Sequence, residues 1–411
     1  MLPVGEELVV GDALPLSLAT ALRELADDWG IALGSSATRT RFSRIEIDVR
    51  ERPDEGLSER ARQGYRLEVR ESREGVLIRI DGGDAAGAFY GMQSLRQLGA
   101  RSPAGPMIRP AEVRDWPLIA RRGLIWFGGA QGRGDSIVAI LRLASQYKMN
   151  FFMGPEVRWN LDEATAIMPG IRAYAESRHI ELCALLGWKD LLLRIPAAEI
   201  TKYYADRAAL GFGTLTVSFD DLELETREQA QEAARAQVAL ANRVYGSLRE
   251  NFPDLRFIFT PVAYGGLPGQ FAFVKPDAEF AYLDVIAQGL PGDMPAFWTG
   301  DGGVFSPQVT ARGAADFARA AGRKPFFWDN DTIRFANRFD PVSGREAGLH
   351  KEIVGYVANL NEFETEWREE RNAQFTLLTA ALYAWNPEAY SPDAAAAAAR
   401  MGIAGLRQAG G

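Results

Sequence analysis

Thr214-Leu-Thr-Val-Ser-Phe-Asp-Asp221 is the stretch whose reading decides the fold. Six residues, apolar or β-branched for the most part, end in two adjacent carboxylates. The run is too short and too apolar for a surface strand, so it reads as a strand buried on both faces of a parallel sheet. The residues after it, 226–248, carry apolar positions at helical spacing. A buried strand followed by an amphipathic helix is the repeating unit of an α/β fold.

The same texture recurs outward from there. Apolar runs stand at 124–128, 150–154, 181–186, 214–219, 256–261, 296–299, 325–328 and 353–358. Helical segments such as 310–321 lie between them, and 364–385 follows the last. Eight β-then-α units over roughly 265 residues match a (β/α)8 TIM barrel in number and length. A doubly wound open sheet is the alternative, but no Gly-x-Gly-x-x-Gly turn follows an early strand. Before the barrel, about 115 residues read as a small α+β domain. A strand is expected at 6–10, a helix over Leu16–Trp29, and alternating strands at 44–49, 65–69 and 76–80. A further helix starts at Asp84, and the Pro- and Gly-rich stretch 101–110 reads as the exit from this domain. The Ala- and Gly-rich residues after Tyr390 read as a short helix with a frayed end. The expected division is an N-terminal domain over 1–116, a barrel over 117–390 and a tail over 391–411.

Composition excludes several classes of function. A net charge of −8 over 411 residues argues against a nucleic-acid partner, which normally calls for a basic patch or stripe, but leaves room for a local basic cleft. No apolar run reaches the roughly 18–20 residues of a membrane span. The N-terminus shows no basic segment followed by an apolar run, so no signal peptide is expected; a chain trimmed of one would read the same, which leaves the compartment open. The single cysteine, Cys183, sits in an apolar run and reads as a small core residue, and it allows no internal disulfide. With only His179 and His350 available, a multi-histidine metal centre or a serine–histidine triad has little to draw on. Both histidines read as structural or solvated.

Barrel chemistry belongs at the C-terminal ends of the strands. Those ends carry Asp220 and Asp221, then Tyr264, then Trp298, Thr299 and Asp301, then Trp328, Asp329, Asn330 and Asp331, then Asn359 and Asn361. Carboxylates and amides bind sugar hydroxyls, and indoles stack on pyranose faces. Each residue by itself can also be a helix cap or barrel filling; five strand ends of this kind together point to a sugar site. Two adjacent carboxylates repel, so one tends to retain a proton. Glycoside cleavage needs a protonated acid to release the leaving oxygen. Neighbouring residues cannot flank the scissile bond as a standard acid–nucleophile pair, but they suit cleavage assisted by the substrate's own 2-acetamido group. Metal ligation by Asp220, Asp221 and Glu223 is the competing reading.

At these strand ends the sequence resembles glycoside hydrolase family 84, the O-GlcNAcase and bacterial β-N-acetylglucosaminidase family. The resemblance rests on an ordered set. Asp84-Ala-Ala-Gly-Ala-Phe-Tyr-Gly-Met-Gln-Ser-Leu-Arg-Gln-Leu98 is similar to the end of the N-terminal domain that this and related hexosaminidase families share. Arg114-Asp-Trp-Pro117, Arg122-Gly123 and Tyr147-Lys-Met-Asn150 follow. Phe219-Asp-Asp-Leu222 resembles the catalytic motif. Phe259-Thr-Pro261 with Tyr264, Trp298-Thr-Gly300, Ser306, Trp328-Asp-Asn330, Asn359 and Trp385-Asn-Pro-Glu-Ala-Tyr390 complete it. It implies a retaining exo-hydrolase of terminal β-linked N-acetylglucosamine on a glycan or glycoprotein, acting through an oxazoline with no metal or organic cofactor. Asp220 would polarise the acetamido group and Asp221 would be acid, then base. Tyr264 would bind the acetamido oxygen, and Trp298, Thr299, Trp328, Asn330 and Asn359 would line the pocket.

Three walls depart from the family. Trp126-Phe-Gly-Gly-Ala130 replaces Glu-Gly-Phe-Tyr-Gly. Gly154-Pro-Glu156-Val-Arg158 puts Glu156 where a pocket lysine is expected, reversing the local charge. Asp331-Thr-Ile-Arg-Phe-Ala-Asn337-Arg338 lacks the expected Asn-Asp-Tyr. The particular hexose is therefore open: N-acetylgalactosamine, a substituted N-acetylglucosamine and an internal glycan unit all fit. Arg158, Arg334 and Arg338 read either as scattered surface arginines, the commoner case, or as a set serving a charged sugar or a sulfate or phosphate group. A binding homologue with weak or no turnover is the alternative from another class.

Overall fold

Alternation of apolar and charged residues builds the first domain. The computed structural model describes the chain apart from residues 11–13, 36–41, 50–61, 74, 104, 127–133, 155–160, 188–193, 361–370 and 410–411. The elements of the first part are β1 (Leu2–Pro3), β2 (Glu7–Val10), α1 (Leu16–Trp29), β3 (Ala32–Gly34), β4 (Phe42–Val49), β5 (Tyr65–Ser72), β6 (Gly75–Gly82), α2 (Ala85–Leu98), β7 (Gly99–Ser102), β8 (Gly105–Ile108) and β9 (Ala111–Asp115). A mixed sheet runs in the order β3-β2-β4-β6-β5-β9, and a smaller one in the order β1-β8-β7. Leu67, Val69, Ile78 and Ile80 face one way at period two and pack under α1 and α2. Gly91 lets α2 approach closely, since a Cβ there would lie 2.7 Å from Ile80. Asp84 caps α2 by accepting from the Gly87 amide at 2.7 Å. The stretch 101–110 is not a plain exit: most of it pairs as the β7–β8 hairpin, whose register opposes Ser102 to Gly105.

The second part is a closed barrel. Its strands are β10 (Arg122–Ile125), β11 (Phe151–Met153), β12 (Glu181–Gly187), β13 (Thr214–Ser218), β14 (Arg256–Thr260), β15 (Ala296–Trp298), β16 (Pro325–Asp329) and β17 (Gly355–Asn359). Every neighbouring pair is parallel, and β10 closes on β17 with Ile125 opposite Asn359. The eight runs read from the sequence are these eight strands. The helices are α3 (Gly134–Gln146), α4 (Leu161–Ser177), α5 (Ala197–Ala209), α6 (Arg227–Arg249), α7 (Pro276–Gly289), α8 (Ala311–Ala321), α9 (Asp331–Arg338), α10 (Arg371–Trp385) and α11 (Pro392–Ala409). Thr226 and Thr310 cap α6 and α8 through their hydroxyls. The short helix expected after Tyr390 is eighteen residues long, with Ala396 and Ala399 buried in the barrel's outer core, and the end expected to fray, 410–411, lies outside the described residues. Among the described residues no helix is long and apolar enough to cross a membrane.

Strand parity divides the barrel core in two. Ile125, Phe151, Met153, Cys183, Ile258, Phe297, Phe326 and Val357 fill the interior. Leu124, Phe152, Ala184, Leu215, Val217, Phe257, Phe259, Trp298, Phe327 and Tyr356 belong to the layer between strands and helices. Each fully enclosed large side chain contributes about 1.5–3 kcal/mol. Trp385, at the end of α10, seals the two parts of the molecule together. Its ring is buried among first-domain residues and its indole donates to Asp115 at 2.8 Å.

Candidate active site

The pleat that sorts the core also aims the site. In β13, Leu215 and Val217 face the helices, so Thr216 and Ser218 face the barrel axis. Ser218 pairs its hydroxyl with Thr260 of β14 at 2.7 Å. The ladder runs one residue further, from the Phe219 amide to the Thr260 carbonyl at 3.0 Å, and Phe219 lies in the outer layer. Parity therefore directs Asp220 over the barrel mouth. Asp220 is partly buried and Asp221 is exposed. Asp221 has φ 57°, a left-handed conformation that aspartate tolerates better than most residues and that marks local strain. The turn is fastened to the loop after β14: the Leu224 amide donates to Phe273 at 3.3 Å and the Lys275 amide to Leu224 at 3.1 Å.

Tyr264 donates its hydroxyl to Asp221 Oδ1 at 2.7 Å. Burial, the hydrogen bond to Asp221 and the charges of Asp221 and Asp220, in that order, push the phenol well above its ordinary range. Tyr264 thus stays protonated and remains a donor. Its ring meets Phe271 edge-on, 4.8 Å between centroids. While it donates to Asp221, the same proton is not available to an acetamido oxygen.

The remaining expected residues separate by parity. Phe297 points inward, so Trp298 points outward. It is fully enclosed, stacked on Phe317 of α8 with centroids 6.0 Å apart, and its indole donates to the Gly266 carbonyl at 3.1 Å. Thr299 is buried with its hydroxyl on the Gly303 carbonyl at 2.5 Å. Both support the wall of the site, and neither offers a face or a donor to a sugar. Asp301, also read on the rim, accepts from the Thr310 amide and hydroxyl at the start of α8. Trp328 does point inward. It meets Phe297 edge-on at 5.0 Å, and its enclosed Nε1 has no partner among the described residues. Asn330 donates to the Val304 carbonyl at 2.9 Å and accepts from the Asn359 amide at 2.7 Å, joining the ends of β16 and β17. Glu156, Arg158 and Asn361 lie outside the described residues, as do 127–130 of the altered first wall.

Beneath the β16 end lies a charged cluster that the sequence reading missed. Asp329 is fully buried and receives both Arg345 Nε and Nη2, at 2.8 and 2.5 Å, and the Tyr356 hydroxyl at 3.1 Å. Arg345 also reaches the carbonyls of Ser343 and Pro307, and lies 3.7 Å from Asp331. Burial, opposed by Arg345, raises the Asp331 carboxyl above its usual range. Arg345 sits in an irregular loop with no motif around it. The one available signal was parity: with Trp328 inward, Asp329 had to point into the wall and needed a cation there.

Neither histidine reaches the site. His179 packs edge-on against Phe89 at 5.5 Å, and burial lowers its pKa to about 4. His350, expected in a polar loop, is buried in a 3-10 helix with Nδ1 2.8 Å from the Ala347 carbonyl. Among the described residues no group of three His, Cys, Asp or Glu side chains is placed to hold a metal ion.

Two family models match the chain. One described as beta-N-acetylglucosaminidase covers residues 197–409, more than half of the chain; one described as glycosyl hydrolase family 20, domain 2, covers residues 4–116. Among solved structures, the chain is similar to CpGH84B, 18% identical over 97% of this chain and 71% of that one, with a TM-score of 0.76. CpGH84D is 17% identical over 96% and 68%, with a TM-score of 0.68. A mutant of the O-GlcNAc hydrolase of Thermobaculum terrenum is 18% identical over 71% and 65%, with a TM-score of 0.59. At these identities the structural likeness is one of fold.

Proposed function

Because this chain belongs to the β-N-acetylglucosaminidase family, and is therefore a glycoside hydrolase, we propose that it removes a terminal β-linked 2-acetamido sugar from a glycoconjugate with retention, using the substrate's own acetamido group. The observation that carries this reading is the Asp220–Asp221 turn at the β13 end with the Tyr264 hydroxyl 2.7 Å from Asp221. Asp221 is exposed at the mouth, where a leaving group would depart. Its carboxyl proton would pass to the glycosidic oxygen as the acetamido oxygen closes on the anomeric carbon. Asp220, partly buried beside it, would accept from the acetamido N–H and orient that oxygen. Water would then open the oxazoline, with Asp221 taking its proton.

Tyr264 has two roles in this scheme. In the empty site it steadies Asp221. With substrate bound, the hydroxyl would turn to the acetamido oxygen, leaving Asp221 to the leaving group. Trp328 would floor the pocket from the barrel interior, and the Asn330–Asn359 pair would hold sugar hydroxyls. Glu156 is assigned to the sugar wall on its sequence position alone. The scheme draws on no metal or organic cofactor.

The test is hydrolysis of aryl 2-acetamido-2-deoxy-β-D-glucoside and galactoside, followed by NMR for the anomer first released. Retention, and inhibition by a thiazoline analogue of the sugar, would support the scheme. Release of the α-anomer from either substrate would overturn it. A glycan-binding homologue would instead bind these sugars without turning them over.

A further inference from the structure

Among the described residues outside the groups used above, the barrel rim carries a cation on a prepared seat. The Arg334 guanidinium lies 4.0 Å from the centroid of the Phe305 ring. Phe305 comes from the loop after β15 and Arg334 from α9 after β16, so two separate rim segments build the pair. A guanidinium this close to an aromatic centroid is held by the ring's negative face, an attraction that leaves it able to hydrogen-bond elsewhere. One N–H contacts Asp331 at a long 3.3 Å, and 45% of the side chain is exposed. Asp331 itself is shared with the buried Arg345 at 3.7 Å. Of its five donors, Arg334 therefore has several without a partner among the described residues.

The pair adjoins the sugar wall. Asn330 precedes α9 in helical conformation, with φ −75° and ψ −24°. Arg334 is four residues on, and so lies on the same helix face about 6 Å further along. Phe305 follows Val304, whose carbonyl holds the Asn330 amide at 2.9 Å. Both halves of the seat are thus one short step from Asn330. Arg338, a further turn along, is also exposed and extends the positive stripe.

We propose that Arg334 on Phe305 is an anion subsite beside the sugar pocket, and that the preferred substrate carries a sulfate, phosphate or carboxylate there. This rests on the glycosidase reading above and narrows its substrate class. A planar guanidinium fits such oxyanions with paired hydrogen bonds. The anion could stand on the sugar itself or on the aglycone. Two substrate arms separate the sources: a 6-O-sulfated against an unsulfated aryl 2-acetamido glucoside, and a carboxyphenyl against a carbamoylphenyl aglycone, a neutral leaving group of similar acidity.

In at least one arm the charged substrate should show about tenfold or higher kcat/KM at low salt. Arg334→Gln should bring that ratio close to one. The advantage should also shrink as salt rises. Arg312→Gln, at a fully solvated position on α8, should leave the ratio where it was. A ratio of one or less in both arms, or an advantage that survives in Arg334→Gln, would overturn the subsite. Calorimetric binding of the 6-sulfated monosaccharide gives a readout independent of turnover. If no substrate is hydrolysed but this ligand binds through Arg334, the glycosidase reading fails and the subsite stands.

Discussion

Asp221 and Asp220 are adjacent in sequence and unlike in setting. One is exposed at a left-handed backbone position and touches Tyr264; the other is partly buried and directed over the mouth by the pleat. Their substitutions should therefore differ in kind. Asp221→Asn should lower kcat by about 10²–10⁴ on substrates with poor leaving groups. On activated aryl leaving groups, which need little protonation, it should lower kcat far less. Asp220→Asn should lower kcat by a similar amount irrespective of the leaving group, because it acts on the nucleophile. Equal leaving-group dependence in the two variants would remove the division of labour. Tyr264→Phe keeps the ring against Phe271 and removes only the donor. It should reduce kcat less than Asp221→Asn does, and the same assays measure it.

At the scale of elements, the β15 and β16 ends are braced by contacts that lie behind the candidate site. Gly300 and Gly303 both have positive φ, 104° and 97°. A Cβ on Gly300 would lie 2.6 Å from Ser306, whereas one on Gly303 would meet nothing within 4 Å. Gly300→Ala should cost more stability than Gly303→Ala, which carries only backbone strain of about 1–3 kcal/mol. Urea unfolding midpoints would rank them, and equal midpoints would count against a packed turn. Arg345→Met would strand the fully buried Asp329 carboxylate. It should cost about 3–5 kcal/mol, read by urea unfolding, because the removed partner leaves an uncompensated charge. Asp329→Asn in the same background should recover part of that loss. Eight strands and most helices were legible at this scale, because buried parallel strands read as continuous apolar runs and Thr226, Thr310 and Asp84 mark helix starts. The hairpin 99–108 was not, since its Gly and Pro residues signal turns as strongly as they permit a short ribbon.

Across the whole molecule, the first domain is joined to the underside of the barrel by polar and aromatic contacts remote from the catalytic rim. Lys148 reaches Tyr65 at 2.8 Å, and Arg122 reaches Gln63 at 2.8 Å. His179 packs here too, against Phe89 of the first domain, with its pKa lowered to about 4 by burial. The unfolded chain takes up this proton near 6.5, so between about pH 6.5 and 4 it binds more protons than the native state. Stability from this residue is present above that window and is lost as pH falls through it. The slope is at most about 1.4 kcal/mol per pH unit. His179→Asn can hold the left-handed φ of 55° and does not titrate there. It should flatten the acid limb, seen as a smaller drop in urea midpoint from pH 7 to 4.5. An unchanged drop would remove His179 from the account.

What the sequence determined by itself was the periodic part: eight apolar runs, the helices between them, and a carboxylate pair at a strand end. These are local properties, written in neighbouring residues. Which rim residues face the barrel mouth was decided by the tertiary structure, because a strand sends alternate side chains to opposite sides. Parity directs Asp220, Trp328 and Asn359 inward while Trp298 and Asp329 turn into the wall, although all five look alike in a one-dimensional reading. Arg345 under Asp329 and Phe305 beneath Arg334 needed the third dimension for the same reason: each partner comes from a different loop, and only barrel closure brings those loops together.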